Sequence, residues 1–195
     1  GLEIESDGEL LPISWAYAKR LAPARKLCIS SIGGPCISTE LCERQFTSVA
    51  LCGSEMENLK WIKELLGTPY YFINITTDVV GIECAVALKN AYAVGVSLAI
   101  GYAKNVGKSL YNPQAALFGQ AVREMQRLTK MLGGHNDAVI YATSDLYVTI
   151  AGGRNRRLGE LLGQGLTFGE AMKKLSAIPA DGWEAGGAYS SFLGP

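Results

Sequence analysis

The residue whose setting most suggests chemistry is Lys89, which interrupts a long apolar run from Gly81 to Ile100. On a helix, the residues three and four positions away from it are mostly small or apolar: Ala85, Val86, Tyr92 and Ala93. Lysine is almost never fully buried without a partner. Its position therefore predicts a carboxylate partner or a polar cavity, as a proton-transfer site provides. The alternative is a side chain whose amine reaches solvent along the apolar surface.

A second group of charged residues follows the glycine pair Gly152-Gly153. We expect a turn there and then a helix through Leu162 that ends at Gly163. The first turn of that helix would hold three arginines, where the helix dipole disfavours cations. An anion at this place would explain them, because backbone N–H groups and a guanidinium could converge on one phosphate.

Among these residues, Arg154 and Asn155 are the better candidates because they adjoin the glycines. Arg156 and Arg157 are interpreted as bystanders. The alternative is a solvated basic turn whose arginines pair with surface acids such as Glu160.

Asp145, on the predicted helix before this turn, is the natural carboxylate partner of Lys89. Taken alone, it could equally be a helix cap or a surface acid.

A third candidate is the segment Gly33-Gly34-Pro35-Cys36-Ile37-Ser38. A strand that runs into glycines before a helix presents backbone donors at the edge of a sheet, although most such loops are only turns. Cys36 has no histidine near it in sequence and is interpreted as a packing residue rather than a nucleophile.

The elements that would position these residues change in character along the chain. Before residue 75 the pattern predicts helices and strands in alternation: a helix at Ile13–Leu21, a strand at Lys26–Ser31, a helix at Ser38–Arg44, a strand at Thr47–Cys52, a helix at Glu55–Leu66 and a strand at Tyr70–Asn74. Strands separated by helices indicate an α/β sheet.

After Thr76 only helical signals remain. Asn112-Pro113 predicts a cap and first helical residue, Gly133-Gly134 the end of that helix, and Thr167 with Glu170 a capping box. We expect a domain boundary near residue 75, which separates residues 1–75 from a helical domain, 76–195.

The amino-acid composition argues against several kinds of partner and binding site. The 195 residues carry no net charge and no basic stripe, which argues against a nucleic-acid partner. The five cysteines form no C-x-x-C pair and there is a single histidine, so we expect no zinc site. Scattered thiols and an acidic start without an apolar core favour a cytoplasmic location.

The apolar run at 84–103 is long enough to test as a membrane helix. Lys89 and Asn90 inside it and the lack of an aromatic belt favour a buried helix of a soluble protein.

Taken together, these segments resemble the NAD-dependent glycerol-3-phosphate dehydrogenases. The matching residues are Gly33-Gly34-Pro35, Gly81-Ile82-Glu83, Ala87-Leu88-Lys89-Asn90, Ser144-Asp145-Leu146, Gly153-Arg154-Asn155-Arg156-Arg157 and Leu162-Gly163-Gln164-Gly165. The resemblance covers most of the chain up to about residue 182.

The resemblance implies an α/β remnant of a Rossmann-type sheet followed by an all-α domain like the C-terminal domain of 6-phosphogluconate dehydrogenase. It also implies hydride transfer between NAD or NADP and glycerol 3-phosphate or dihydroxyacetone phosphate. The helical domain, rich in alanine and glycine, suits a homodimer.

By the same resemblance, Lys89 would act as the general acid/base with Asp145. The remaining implied roles concern binding: Asn90, Asp145 and Thr149 for the substrate's polar groups; Gly153, Arg154 and Asn155 for its phosphate; Gly34 and Cys36 for the substrate lining; Ser38, Arg154 and Asp181 for the cofactor.

The chain also departs from the family's pattern. The glycine-rich fingerprint, a lysine just before the position of Gly1 and the last helices of the family are missing. We therefore expect a fragment that is inactive, or nearly so, by itself. Two alternatives stay open: a related dehydrogenase for another hydroxy acid or phosphate, and a non-enzymatic dimerisation module.

Overall fold

The computed structural model describes residues 1–21 and 27–177. Its elements, in chain order, are β1 (Leu2–Ile4), β2 (Leu10–Pro12), α1 (Ile13–Leu21), β3 (Ser30–Gly33), α2 (Ser38–Cys42), β4 (Thr47–Gly53), α3 (Met56–Leu66), β5 (Tyr71–Thr76), α4 (Val79–Val106), α5 (Tyr111–Met131), α6 (Val139–Ala151), α7 (Arg154–Gly163) and α8 (Phe168–Ser176). A single 3₁₀ turn at Asn136–Ala138 precedes α6.

A three-stranded sheet in the order β3-β4-β5 forms the α/β part. β3 pairs antiparallel with β4, and β4 pairs parallel with β5, from which α3 separates it in the chain. β4 is covered on both faces. Val49 and Leu51 pack with Leu59 of α3, while Ala50 and Cys52 lie in a cluster with Ile82 of α4. The strand is apolar almost throughout because neither face meets water.

The long helix α4 is the centre of the helical part. One core cluster joins it to α5 and α6 and contains Ala93, Val96, Met125, Ala142 and Leu146. This arrangement sets α6, the helix that carries Asp145, beside the stretch of α4 that carries Lys89.

Glycines let α7 lie directly on the backbone of α4. A Cβ at Gly159 would stand 2.3 Å from the carbonyl oxygen of Val94, and one at Gly163 would stand 2.1 Å from that of Leu98. Reciprocally, a Cβ at Gly101 would stand 2.0 Å from the carbonyl oxygen of Glu160. Any side chain at these positions would force the two helices apart, so the contact fixes where the first turn of α7 lies.

A buried carboxylate ties the start of α4 to the rest of the chain. Glu83 is only 2% exposed and accepts hydrogen bonds from the Ser31 hydroxyl of β3 and from the Ser14 backbone N–H of α1 at 3.3 Å. Gly33, at the end of β3, packs so closely that a Cβ there would meet Ile82 of α4 at 2.9 Å. The sheet, α1 and α4 therefore meet at one point.

Most of the predicted elements are confirmed. A small sheet followed by helices matches the predicted fold class, and the Thr167–Glu170 capping box is present at the start of α8. No strand occurs after Thr76 within the described residues. The domain boundary near residue 75 stays a prediction.

Three predictions at element ends were wrong. The strand predicted at Lys26–Ser31 starts at Ser30 and runs to Gly33, because its length is set by pairing with β4 rather than by local propensity; Lys26 lies outside the described residues. α5 begins at Tyr111, so Pro113 is its third residue, where the N–H it lacks would have no helical partner anyway.

The N-terminal hairpin was not predicted. β1 and β2 pair antiparallel through a turn in which Gly8 has φ +87° and Asp7 accepts from the N–H of Glu9 at 3.0 Å. The Asp-Gly dipeptide between two short apolar segments was the available signal.

α4 is the one helix in the described part of the chain that is long and apolar enough to cross a membrane, with a mean hydropathy of 1.4 over its most apolar window. In this fold, 44% of that window is buried inside the protein. Length and composition are weak evidence for a membrane span, since a core helix meets the same criteria.

Candidate active site

Lys89 reaches from α4 to two side chains one turn apart on α6. Its Nζ lies 2.9 Å from Oδ1 of Asp145 and 2.9 Å from Oγ1 of Thr149. The Thr149 hydroxyl donates to the backbone carbonyl of Asp145 at 2.7 Å, which leaves its lone pairs for the lysine. The side chain of Lys89 is 15% exposed, so its amine does not extend into solvent. The structure brings together the pair that the sequence predicted.

The lysine keeps one donor for a ligand. An ammonium has three N–H groups, and its contacts within residues 1–21 and 27–177 use two of them. The third can bind a substrate oxygen without disturbing the pair.

The environment of Asp145 is set mainly by burial. Removal from water raises the pKa of this carboxyl, and the charge and hydrogen bond of Lys89, together with the hydroxyl of Thr149, only partly offset that effect. Ionisation of Asp145 in this buried site therefore depends on its contacts with Lys89 and Thr149.

A second polar pair links α4 to α7. The side-chain amide of Asn155 donates to Oδ1 of Asn90 at 2.9 Å, and Asn155 is only 6% exposed. Asn90 follows Lys89 directly, so this hydrogen bond joins the lysine segment to the start of α7.

The glycine turn that precedes α7 has the predicted form. Gly152 is extended, and Gly153, the cap of α7, has φ +91° and so needs glycine. Arg154 is the first residue of the helix and is half-buried beside Asn155. We call Gly152–Asn155 the anion turn. The hydrogen bond of Asn155 places it next to Asn90.

Arg156 is not a bystander, and Glu160 is not a surface acid. Glu160 is 3% exposed and lies between two cations: Nζ of Lys104 is 2.7 Å from its Oε2, and Nε of Arg156 is 2.8 Å from its Oε1. The Arg156 contact is an ion pair without a well-aimed hydrogen bond. Arg156 also donates from Nη1 to the carbonyl of Ala151 at 2.6 Å. Arg157 is exposed, as expected.

The Gly34–Ser38 loop lies at the edge of this site. Gly34 has φ +123°, and a Cβ there would stand 3.7 Å from Cβ of Tyr141, one turn before Asp145 on α6. Cys36 is exposed overall. Partial removal of its thiol from water, together with the nearby charge of Asp145, raises the pKa of that thiol. Ser38 is exposed at the start of the short helix α2, away from the Lys89 contacts. Asp181 lies outside the described residues.

Glu83 was given no role from the sequence, and Glu160 was considered only as a surface acid paired with the arginines; the Arg156–Glu160 pair is present, but Glu160 is buried. Glu83 shares the apolar run of Lys89, and a second charge in that run was the available signal. For Arg156 and Glu160 the signal was opposite charges four residues apart on one helix.

A cavity of about 450 Å³ lies between the N-terminal hairpin and α4. The lining side chains are apolar except for that of Asn90, and they include Leu2, Ile13, Val86 and Leu88. Lys89 is not among the residues that line the cavity. Among the described residues, no group of three His, Cys, Asp or Glu side chains could hold a metal ion.

Comparison with known proteins agrees with this geometry. A family model for the C-terminus of NAD-dependent glycerol-3-phosphate dehydrogenase matches residues 78–192. The NADP(+)-dependent glycerol-3-phosphate dehydrogenase of Archaeoglobus fulgidus is 32% identical over 174 residues, which are 88% of this chain and 52% of that protein. A glycerol-3-phosphate dehydrogenase (NAD(P)+) of Chlorobium phaeobacteroides is 29% identical over 184 residues, which are 91% of this chain and 52% of that protein.

The fold is matched as well. The crystal structure of glycerol-3-phosphate dehydrogenase from Coxiella burnetii aligns with a TM-score of 0.73 and 25% identity, over 93% of this chain and 53% of that one. A small sheet joined to a set of helices is therefore a fold that this chain shares with a solved glycerol-3-phosphate dehydrogenase. The chain belongs to the NAD-dependent glycerol-3-phosphate dehydrogenase family. It spans about half the length of the curated relatives it matches.

Proposed function

We propose that this chain carries the proton-transfer and phosphate-binding part of an oxidoreductase that interconverts glycerol 3-phosphate and dihydroxyacetone phosphate with NAD or NADP. The observation that carries the proposal is the buried Lys89–Asp145 pair, joined through the adjacent Asn90 to Asn155 of the anion turn.

Lys89 is the acid and base in this scheme. A bound nicotinamide cofactor supplies or accepts the hydride. As the C2 carbonyl of the substrate becomes a hydroxyl, the free donor of Lys89 gives its oxygen a proton, and in the reverse direction the neutral amine takes that proton back. Asp145 and Thr149 hold the amine in place and stabilise its charged form.

The anion turn binds the other end of the substrate. The N-terminus of a helix is a favourable place for an anion, and the Arg154 and Asn155 side chains lie in the first turn of α7. Since Asn155 is bonded to Asn90, the phosphate and the C2 oxygen are held at a fixed separation. Binding energy from the non-reacting phosphate can then orient the reacting carbon.

The cofactor proposal is supported by the family match and by the names of the relatives, which give NAD(P)+ or NADP+. Ser38, Arg154 and Asp181 stay candidates for cofactor contacts. The discriminating comparison is a kinetic one, with NADH and NADPH assayed side by side.

The test of the function is turnover by the full-length protein. We expect oxidation of NADH or NADPH with dihydroxyacetone phosphate, and little with 2-keto acids or with unphosphorylated dihydroxyacetone. Efficient use of a keto acid in place of the phosphate would refute the substrate assignment.

We further propose a cytoplasmic homodimer in which α4 is a core helix rather than a membrane span. The packing of α4 against α6 and α7 supports its assignment as a core helix. Sedimentation equilibrium without detergent checks both points: a protein that is soluble only in detergent, or that stays monomeric at micromolar concentration, would contradict them.

A further inference from the structure

Arg156 contacts residues that precede and follow the anion turn in the chain. Its Nη1 holds the carbonyl of Ala151, the last residue of α6, at 2.6 Å. Its Nε faces the Glu160 carboxylate, one turn further along α7, at 2.8 Å. The guanidinium thus bridges the residue before Gly152–Gly153 and a residue after them.

Glu160 is itself fixed to α4. Lys104 of α4 binds its Oε2 at 2.7 Å, and the backbone of Glu160 lies against Gly101 so closely that a Cβ there would meet its carbonyl oxygen at 2.0 Å. The bridge therefore connects α6, α7 and α4, the three helices that carry Asp145, Asn155 and Lys89.

From this geometry we propose that Arg156 is a positioning residue for phosphate binding. With Glu160 as its anchor it sets the shape of the anion turn, and so the distance between the phosphate site and Lys89. The proposal rests on the function proposed above, in which Arg154 and Asn155 bind the substrate phosphate.

The physical reason is the flexibility of the turn. Two consecutive glycines give the backbone wide conformational freedom, which costs entropy to restrain. Asn155 restrains the turn at its far end through Asn90, whereas Gly152 and Gly153 themselves have no side chains to do so. Arg156 supplies the missing restraint through the planar fork of the guanidinium, which can contact two acceptors at once.

Two of the three guanidinium nitrogens of Arg156 contact protein groups. Its Nη1 is engaged by Ala151 and its Nε is buried against Glu160. Arg157, the next residue, is exposed. It has the same charge and nearly the same distance from the turn in sequence, which makes it a matched control.

The experiment compares Arg156→Gln with Arg157→Gln in the full-length protein. Without the bridge that Arg156 forms between Ala151 and Glu160, the KM for dihydroxyacetone phosphate should rise by about tenfold to a hundredfold, with a much smaller change in kcat. Arg157→Gln should leave both constants near those of the wild type. Arg156→Lys, which can hold only one of the two acceptors, should fall between them.

Amide hydrogen exchange gives a readout that needs no ligand. We expect residues 152–155 to exchange faster in Arg156→Gln than in Arg157→Gln while the melting temperatures stay comparable. Equal kinetics and equal exchange in the two variants would overturn the proposal. If the wild type fails to turn over the phosphate substrate, the proposed function is wrong, and the exchange comparison still decides whether Arg156 braces the turn.

Discussion

Nζ of Lys89 lies 2.9 Å from Oδ1 of Asp145, although the two residues are 56 positions apart in sequence. The contact is made by packing α4 on α6 through small and aliphatic side chains, so the position of the proposed acid/base depends on the core behind it.

Replacement of the lysine tests its chemical role. Lys89→Met keeps an aliphatic stem but removes the ammonium, and we expect kcat of the full-length protein to fall by about 10²–10⁴-fold, the usual contribution of a positioned acid/base. Lys60→Met, on the exposed side of α3, is the matched control and should be as active as the wild type. A steady-state assay with dihydroxyacetone phosphate checks both, and an active Lys89→Met variant would remove Lys89 from the mechanism.

The pH dependence of stability tests the environment of Asp145. Because burial raises the pKa of this carboxyl above its ordinary value of 3.8, the folded state holds the proton more tightly than the unfolded state does. The contribution of Asp145 to stability is then fully present below pH 3.8 and declines as the pH rises through the raised pKa.

The side-chain amide of Asp145→Asn does not titrate, so the stability of this variant does not show the decline with rising pH that Asp145 causes. We therefore expect the free energy of unfolding of the wild type, relative to that of Asp145→Asn, to fall as the pH rises from 3.8 through the raised pKa of Asp145. Urea unfolding at a series of pH values measures the difference. An increase over the same range would mean that pairing with Lys89 outweighs burial.

The close contact of α4 and α7 predicts a steep cost for one added methyl group. Gly159→Ala places a Cβ 2.3 Å from the Val94 carbonyl oxygen and should destabilise the protein by about 1–3 kcal/mol or more, because backbone cannot move aside cheaply. Gly119→Ala in α5 has nothing within 4 Å of the new Cβ and should be neutral or stabilising by up to about 1 kcal/mol. Denaturant titration of the two variants compares them directly, and similar midpoints would contradict the packing.

Thiol labelling reports both burial and occupancy of the site. Cys28, Cys36 and Cys42 are exposed and should react with an alkylating reagent in the native protein. Cys52 and Cys84 should react only after unfolding, since burial raises the pKa of their thiols to about 12 and about 11.

Glycerol 3-phosphate should slow the reaction of Cys36, at the edge of the site, and leave that of Cys42 unchanged. Mass spectrometry of labelled peptides reads out each thiol. Equal protection of both, or of neither, would argue against substrate next to Cys36.

Sequence reasoning located the pairing of Lys89 with Asp145 because a charge in an apolar run needs a partner, a rule that holds wherever the helices pack. It could not locate the bridge through Arg156, since whether an arginine at a helix start meets solvent or a buried acid depends on the neighbouring helix. The burial of Glu160 follows from Gly101 and Lys104, which lie about 60 residues earlier in the chain.

The limits of the helices and strands also divide into those that local sequence predicts and those that it does not. Helix ends marked by local signals, such as the Thr167 cap, were predictable because the capping atoms are neighbours in sequence. The limits of β3 depend on β4, and the start of α5 was placed too late because proline is tolerated anywhere in a first turn. Pairing between distant segments, not propensity, decided those limits.

A single unbroken helix has a mechanical consequence. Glu83 hydrogen-bonds α4 to the sheet and to α1, and Lys89, the proposed acid/base, follows six residues later on the same helix. The second half of α4 packs closely against α7. Hinged movement of the sheet relative to the lysine would require α4 to bend between Glu83 and Lys89, a stretch that is helical throughout and contains no proline. The distance between the sheet edge and the amine is therefore fixed once the protein has folded. A substrate can then enter only if segments around α4 move, because α4 itself stays straight.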